Sequence, residues 1–309
     1  MISLSNKAAL VFGGQGSQFT GMGKRIYDNV SEARLIFDLA SETVGYDVAK
    51  MCFEASQEEL NKTIYCQVCT LTVELAIYEV FKKMNIRLNA VAGYSLGEYA
   101  ALVVAGVIDI KTAFELVNAR AKAMQNEVDD YAGKMVAIVN LNIEILKAIC
   151  QEFGYDNAAI ANYNSFNQIV VSTTADVFQE FLSRVNSEGG RAIPLKVNRP
   201  FHHSMMLPAA DKYRDDLNTA VFKKSILPVY LNISGTLLHD NDCLPQKLCE
   251  QIFKPVQWIK TMQSMLATGI NVFYEISPKS TLATFIKNIA GINVKIVDVQ
   301  ATLTNFKNV

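Results

Sequence analysis

AVAGYSLGEYAALVVAGV, residues 90–107, is the stretch around which the rest of this chain is organised. It begins as a short apolar strand, turns through GYSLG at 93–97, and continues as an alanine-rich helix that ends near Gly106. In such an elbow the serine sits on a strained strand-to-helix turn, and the flanking residues are glycines because a Cβ there would collide with nearby atoms. The pattern therefore predicts that Ser95 is a nucleophile. The competing interpretation is an ordinary turn in which Ser95 only caps the helix.

The composition is that of an ordinary globular chain. Half of the 309 residues are hydrophobic and 19% are charged, which argues against a disordered protein. Lys and Arg (29) nearly balance Asp and Glu (30), without a basic run, so nucleic acid is not an expected partner. We find no uninterrupted apolar run of the roughly 20 residues that a membrane span needs, and no secretion signal at the start. We therefore expect a cytoplasmic protein that does not contact the membrane.

Six cysteines are scattered along the chain, which predicts buried thiols rather than a disulfide framework. Cys66 and Cys69 form a C-x-x-C motif, but the motif falls inside a helical pattern. No second pair and no nearby histidine would complete a metal site. We expect two core cysteines on one helix, and neither a metal nor a cofactor.

Most of the chain alternates between short apolar strands and helices. Residues 8–12 predict a first buried parallel strand, which runs into GGQGSQ at 13–18. The spacing of these glycines is neither the dinucleotide fingerprint nor the P-loop. We interpret them as allowing the backbone of Gln15 to approach another group closely. The alternation predicts an α/β fold.

The pattern changes near residue 134. Strands are predicted at 135–139, 158–162, 168–172 and 191–197, with helices at 143–153 and 175–186. This β-α-β-β-α-β order is that of the split βαβ motif. We expect residues 133–198 to form a compact subdomain inserted into a larger α/β domain, which comprises residues 1–132 and 199–309.

Only three histidines are available as a base for Ser95. His202 and His203 are adjacent in a loop before a predicted helix, whereas His239 lies in a polar, turn-like segment. The pattern alone leaves the choice among them open. Arg120, on a helix predicted at 110–126, would on its own be interpreted as a solvated residue or the partner of a surface acid.

Taken together, the motifs resemble those of the malonyl-coenzyme A:acyl carrier protein transacylases of fatty acid synthesis and the related acyltransferases of polyketide assembly. The resemblance runs from Phe12 to about Ile289, and its motifs keep the family order: GQGSQ at 14–18, GYSLGE at 93–98, RAKAMQ at 120–125, ANYNS at 161–165, Phe201-His202 with Met206 and Pro208, and PVQW at 255–258. The resemblance implies an α/β-hydrolase-like large domain with an inserted ferredoxin-like subdomain. It also implies malonyl-CoA as acyl donor and an acyl carrier protein as partner.

The resemblance assigns the catalytic roles. Ser95 would attack the thioester, and His202 would act as its base, because Met206 and Pro208 follow it at the family's spacing. The backbone carbonyl of Gln251 would orient the imidazole, where hydrolases of this general kind use an acid. No third charged residue would then be needed.

The resemblance also assigns the substrate contacts. The backbone N–H groups of Gln15 and Leu96 would meet the oxyanion. Arg120 would bind the free malonyl carboxylate, because a planar guanidinium can bind both oxygens at once. Tyr94 and Phe201 would line the acyl pocket.

Four positions depart from the family pattern. Glycine replaces the usual proline at Gly13, tyrosine the usual histidine at Tyr94, alanine a common glycine at Ala121, and serine a glycine at Ser277. None of these changes removes a catalytic group. Tyr94 matters most, because a side chain beside the nucleophile can change which acyl group is preferred.

These motifs are compatible with three functions. The first is ping-pong transfer of malonyl from coenzyme A to the phosphopantetheine thiol of a carrier protein. The second is a proofreading acyl hydrolase of a polyketide pathway, which would pass the acyl group to water. The third is a non-catalytic module that docks a carrier protein. Arg120 favours the first, because a hydrolase that clears plain acyl chains has no carboxylate to bind.

Overall fold

The computed structural model of the chain describes residues 6–127, 133–197 and 199–303. The strands within these ranges are β1 (Lys7–Phe12), β2 (Ala90–Gly93), β3 (Gly133–Val139), β4 (Ala158–Ser165), β5 (Gln168–Thr174), β6 (Arg191–Pro194), β7 (Val229–Tyr230), β8 (Ile270–Ile276) and β9 (Lys295–Asp298). The α-helices are α1 (Lys24–Asn29), α2 (Ser31–Val44), α3 (Val48–Glu54), α4 (Gln57–Leu60), α5 (Thr63–Lys82), α6 (Gly97–Val104), α7 (Ile110–Asn126), α8 (Ile143–Phe153), α9 (Phe178–Ser187), α10 (Leu207–Thr219), α11 (Leu244–Gln251), α12 (Trp258–Ala267), α13 (Leu282–Ala290) and α14 (Val299–Leu303).

A five-stranded parallel sheet organises the larger part of the molecule, in the order β7-β2-β1-β8-β9. Its central strands are short apolar runs, as expected of strands covered by helices on both faces. In the register, Phe12 pairs with Gly93 on one side and with Ile276 on the other. The carboxyl ends of β1, β2 and β8 therefore share one edge. This edge is where ligands bind in open parallel sheets.

The inserted subdomain has a four-stranded antiparallel sheet in the order β4-β5-β3-β6, with α8 and α9 packed on it. Together with the chain order βαββαβ, this is the ferredoxin-like arrangement that the resemblance implied. The expected boundaries fall beside residues 128–132 and 198, which lie outside the described residues. β6 ends at Pro194, three residues earlier than predicted.

The longest helix, α5, is the core helix of the large domain. Its 20 residues are long and apolar enough by composition to cross a membrane, which the sequence analysis did not anticipate. However, 72% of its most apolar window is buried inside the protein, as in a core helix covered on nearly all sides. Cys66 and Cys69 are both buried on it, as predicted, and all six cysteines are free. The prediction of buried thiols is wrong for Cys243, which is exposed just before α11.

The structure also contains short helices that the sequence analysis missed, namely α1, α3 and α14. α1 buries no residue, and α3 buries only Val48 and Cys52. These helices have only five to seven residues, which is too short to show a helical period.

Candidate active site

The elbow lies at the carboxyl end of β2, and its glycines are required by close packing. A Cβ on Gly93 would lie 1.9 Å from the backbone of Gly97, and a Cβ on Gly97 would lie 2.1 Å from the carbonyl oxygen of Gly13. Between them Ser95 adopts a φ of 51°, a conformation that non-glycine residues rarely take. Its side chain does not cap α6, whose N-cap is Leu96. The structure therefore excludes the interpretation of Ser95 as a mere helix cap.

His202 lies beside the nucleophile. Its Nε2 is 2.9 Å from Ser95 Oγ, and its Nδ1 is 2.7 Å from the backbone carbonyl oxygen of Gln251. A carbonyl can only accept, so Nδ1 carries the proton and Nε2 is left to accept the serine hydroxyl. This is the tautomer that a general base for Ser95 needs.

The other two histidines lie elsewhere. His203 Nε2 is 3.1 Å from the carbonyl oxygen of Tyr155, and its Nδ1 accepts a hydrogen bond from the backbone N–H of Met205. His239 is exposed in a turn, where its backbone N–H donates to Asp242. Of the three histidines, the structure brings only His202 to Ser95.

The imidazole of His202 is held neutral at physiological pH. Burial lowers its pKa, and the positive charge of Arg120 lowers it further, to about 4. Both causes act by disfavouring the imidazolium form. The base therefore enters the reaction without a proton on Nε2.

Asn232 is a site residue that the sequence analysis missed. Its side chain accepts a hydrogen bond from the backbone N–H of Ser95 (2.8 Å) and donates one to the carbonyl oxygen of Gly93 (2.7 Å). Its own backbone N–H donates to Glu98 at 2.8 Å. Asn232 thus holds the strained turn from both sides. The available signal was its place just after β7, at the sheet edge that carries the elbow.

The backbone N–H groups that the resemblance named as oxyanion donors have no acceptor within the described protein. Asn232 engages the N–H of Ser95, whereas within the described residues the N–H groups of Gln15 and Leu96 donate to no protein atom. The Leu96 group is among the free N–H groups at the start of α6. The loop that carries Gln15 packs tightly on the elbow, since a Cβ on Gly14 would lie 2.5 Å from the Tyr94 carbonyl oxygen.

Arg120 is buried, with 1% of its surface exposed, and is not the surface residue that its sequence context alone suggested. Its Nη1 donates to Gln67 Oε1 at 2.6 Å and its Nη2 to Gln251 Oε1 at 2.8 Å. Nη2 also lies 3.4 Å from Ser95 Oγ, and Nε has no described partner. Both amide partners are neutral, and no described carboxylate forms an ion pair with it. A buried cation without an ion-pair partner is costly, so the site is suited to an anionic ligand.

Gln251 joins the parts of the site. While its carbonyl holds His202, its side-chain Nε2 donates to the carbonyl oxygen of Ser95 at 3.0 Å and to Glu98. Its Oε1 accepts from Arg120. Burial raises the pKa of Glu98 above that of an ordinary carboxyl group. The base, the nucleophile and the guanidinium are therefore positioned through one residue.

These groups face a cavity of about 610 Å³ between the large domain and the inserted subdomain. Ser95, His202 and Arg120 line it together with the loop that carries Gln15. Residues of β3 and β5 and the segment 193–197 form its opposite wall. The volume is in the range of small-molecule sites.

Tyr94 and Phe201 both line the cavity, as the acyl-pocket assignment requires. The Tyr94 hydroxyl donates to Asn164 Oδ1 at 2.6 Å, and Asn164 in turn donates to Gln168 at 2.9 Å. The ring packs edge-on against Trp258, with 5.7 Å between the ring centroids. Tyr94 is thus fixed in the wall and links the elbow to the inserted subdomain.

A serine on a strained elbow, a histidine oriented by a carbonyl and two free backbone donors define an acyl-transferring enzyme of α/β-hydrolase-like fold. The chain belongs to the acyl transferase domain family, which matches residues 9–299. It is similar to the malonyl CoA-acyl carrier protein transacylase of Bacillus subtilis strain 168, with 37% identity over 288 residues, or 92% of this chain and 90% of that protein. The corresponding Escherichia coli K12 protein is 35% identical over 91% of this chain and 92% of its own length.

Solved structures agree with this assignment. The malonyl CoA-acyl carrier protein transacylase of Clostridium perfringens superposes with a TM-score of 0.91 at 34% identity, covering 97% of each chain. A malonyl-transacylase solved in complex with its type II polyketide synthase acyl-carrier protein superposes with a TM-score of 0.90 at 32% identity, covering 94% of this chain and 95% of that one. The family predicted from the sequence motifs is confirmed.

Proposed function

We propose that this protein transfers malonyl from malonyl-CoA to the phosphopantetheine thiol of an acyl carrier protein, through a malonyl ester on Ser95. The observation that carries the proposal is the buried guanidinium of Arg120, which forms no ion pair with a described carboxylate and whose Nη2 lies 3.4 Å from the nucleophilic oxygen. A malonyl group bound at its carboxylate would present its thioester carbonyl to Ser95. The names of the relatives agree with this substrate and this partner.

In the first half-reaction, Ser95 Oγ attacks the thioester carbonyl while His202 Nε2 takes the hydroxyl proton. The negative charge on the carbonyl oxygen is met by the N–H groups of Leu96 and Gln15, and each such donor is typically worth about 3 kcal/mol. The tetrahedral intermediate collapses as the carbon–sulfur bond breaks, and His202 returns the proton to the coenzyme A sulfur. Malonyl-Ser95 remains.

In the second half-reaction, the carrier-protein thiol enters the place that coenzyme A has left. His202 takes the thiol proton, the sulfur attacks the ester carbonyl, and the same backbone donors bind the oxyanion. Breaking the ester bond returns the proton from His202 to Ser95 Oγ. The nucleophile and the base come from the protein, so the proposed reaction requires neither a metal nor a cofactor.

We also propose a cytoplasmic location for the reaction. All six cysteines are free, which fits a reducing compartment.

Hydrolysis is the competing reaction of the same dyad. Arg120 argues against a hydrolase of plain acyl chains, because such a substrate would leave the guanidinium unpaired in a buried site. A docking module without catalytic activity would not require the hydrogen bond of 2.9 Å between Ser95 Oγ and His202 Nε2.

Labelled malonyl-CoA distinguishes the three functions. We expect stable label on Ser95, which moves to a phosphopantetheinylated carrier protein when that is added. The Ser95→Ala variant is the control and should take up no label. Rapid release of free malonate without carrier would instead identify a hydrolase, and an unlabelled wild-type protein would identify a docking module.

The role of Arg120 has its own test. Arg120→Ala should lower malonyl transfer far more than acetyl transfer, because only malonyl has a carboxylate to lose. The measurement is kcat/KM for both coenzyme A thioesters. Equal losses for the two substrates would exclude the carboxylate-binding role.

A further inference from the structure

We infer that Arg120 holds His202 in a weakly basic state until a substrate carboxylate binds, so that the malonyl group itself activates the base. The inference rests on the proposed malonyl transfer and deepens it. It makes Arg120 a residue that selects the substrate through the rate of reaction as well as through binding.

The geometry puts the guanidinium charge next to the dyad. Arg120 Nη2 lies 3.4 Å from Ser95 Oγ, and the same oxygen lies 2.9 Å from His202 Nε2. Arg120 and His202 are both buried, and charges interact more strongly there than in water. A positive charge in contact with the oxygen that hydrogen bonds to His202 opposes the arrival of a proton on Nε2. Accepting that proton is the step that a general base has to perform.

The described carboxylates near the dyad form no ion pair with Arg120, although its charge favours the ionised form of Glu98. Glu98, on α6, is held by the amide of Gln251 and by the backbone of Asn232, and forms no ion pair with the guanidinium. On the α11 side, Glu250 pairs instead with Lys254 at 2.9 Å.

The remaining neighbours carry no compensating charge either. The ring centroid of Tyr99 lies 5.8 Å from Arg120 Cζ, but the Tyr99 hydroxyl is hydrogen bonded to that of Tyr213. His203 faces the carbonyl of Tyr155. Among the described residues, no carboxylate therefore forms an ion pair with the positive charge beside the dyad, and a substrate carboxylate can do so.

A bound malonyl carboxylate changes the base in a defined direction. Burial and the charge of Arg120 together lower the pKa of His202 to about 4. A carboxylate on the guanidinium cancels the second cause and raises the pKa towards the working pH. A base whose pKa is nearer the working pH removes a proton more readily in the transition state. An acetyl group would leave the base in its weak form.

The first test uses p-nitrophenyl acetate, which acylates Ser95 without supplying a carboxylate. The rate of p-nitrophenolate release is measured by stopped flow after pH jumps across pH 3.5 to 8. In Arg120→Gln the charge is absent and an uncharged side chain that can still form hydrogen bonds remains. In the pH–rate profile, the acid limb is the range in which protonation of His202 lowers the rate. We expect the acid limb of Arg120→Gln to lie at higher pH than that of the wild type, and its rate on the plateau at higher pH to be at least about threefold higher. Arg120→Lys keeps the charge and should keep the low limb.

The second test compares acyl-enzymes of the wild type. Malonyl-Ser95 and acetyl-Ser95 are transferred to N-acetylcysteamine, and the rates are measured by quenched flow over the same pH range. We expect the acid limb of the malonyl-enzyme to lie about one pH unit above that of the acetyl-enzyme, and Arg120→Gln to remove the difference. If the role of Arg120 is purely structural, its replacement would change the rates but not the pH at which they fall.

The outcomes separate the inference from the proposed function. Identical limbs for the two acyl-enzymes, together with an unmoved limb in Arg120→Gln, would overturn the inference while malonyl transfer stands. Failure of malonyl-CoA to load Ser95 in the wild type would overturn the proposed function itself.

Discussion

Asn232 shows how much of the site depends on single hydrogen bonds. A serine with φ of 51° is held in place only if the surrounding structure fixes its backbone, and here the carboxamide of Asn232 does so from both sides. The bond that Asn232 Oδ1 accepts also keeps the Ser95 N–H out of the oxyanion site, which leaves Leu96 and Gln15 as donors. A residue that contacts neither acyl group nor thiol thereby sets the position of the nucleophile.

Asn232→Ala should lower kcat for malonyl transfer by about 100-fold, because small displacements of a nucleophile have effects of that size. KM for malonyl-CoA should change little, since Arg120 and the cavity walls are untouched. Steady-state kinetics on protein shown to be folded by urea titration checks this. Asn288→Ala, which removes a hydrogen bond to Asn167 outside the active-site cavity, is the matched control. A kcat within threefold of wild type would contradict the role of Asn232.

Site residues that lie within a local sequence motif could be predicted, and site residues defined by contacts between distant parts of the chain could not. The motifs around Ser95, His202 and Arg120 are local, and the structure brings these side chains together. Asn232 meets Ser95 across 137 positions and Glu98 across 134. No local pattern encodes such a contact, so the residues that fix the site emerged only from the fold.

At the scale of elements, two departures from the family pattern turn out to face each other. The register of β1 with β8 pairs Phe12 with Ile276, so the residues that follow these strands are neighbours. A Cβ on Gly13 would lie 2.4 Å from Ser277 Oγ and 2.8 Å from its Cβ. The side chain that is missing at position 13 is therefore matched by the one present at 277.

This pairing predicts energetic coupling between the two strand ends. Gly13 has no positive φ, so Gly13→Ala should destabilise the protein only by overpacking, by about 1 to 3 kcal/mol. Ser277→Gly frees that space but loses the hydrogen bond to the Lys279 carbonyl, at a cost of about 1 kcal/mol. The double variant should be more stable than the sum of the single effects indicates. A double-mutant cycle from urea unfolding measures the coupling; strictly additive effects would show that the contact carries no strain.

Long periodic elements were predicted well, and short ones poorly. The bounds of α7 and α8 match the prediction, because apolar residues recur on one face and a capping side chain marks each start, Asp109 and Asn142. β6 was predicted too long, and α1 was missed because it buries nothing. Burial of one face creates the sequence pattern, so elements that bury little leave none.

For the molecule as a whole, the order of helices and strands along the sequence was enough to predict the architecture. The βαββαβ order within an α/β chain, with the family resemblance, predicted the inserted ferredoxin-like sheet, and the topology confirms it. What the order could not predict is the cavity between the two parts, because its walls combine residues from the elbow, α7, β5 and the segment 193–197. Its shape depends on how the two sheets are placed in space.

A buried acid makes the stability of the whole molecule depend on pH. Glu74, on α5, is fully buried near Gly13, and neither of its oxygens has a described hydrogen-bond partner. Nearby Glu275 accepts four hydrogen bonds at the start of α13 from Ser280 and the backbone of residues 281–283. Burial, and then the charge of Glu275, raises the pKa of Glu74 well above its usual value.

Glu74 therefore holds its proton to a higher pH in the folded protein than in the unfolded chain, where it ionises near pH 4.5. Between these two pKa values the folded state binds more protons, so the contribution of Glu74 to stability falls as pH rises. Glu74→Gln removes the titration and keeps the size of the side chain. Its free energy of unfolding relative to wild type should grow from pH 5 to pH 8, by at most about 1.4 kcal/mol per pH unit. Urea unfolding at several pH values measures this difference, in which the other titrating groups cancel. A difference that stays constant with pH would mean that Glu74 is already ionised in the fold, and that a partner stabilises its charge.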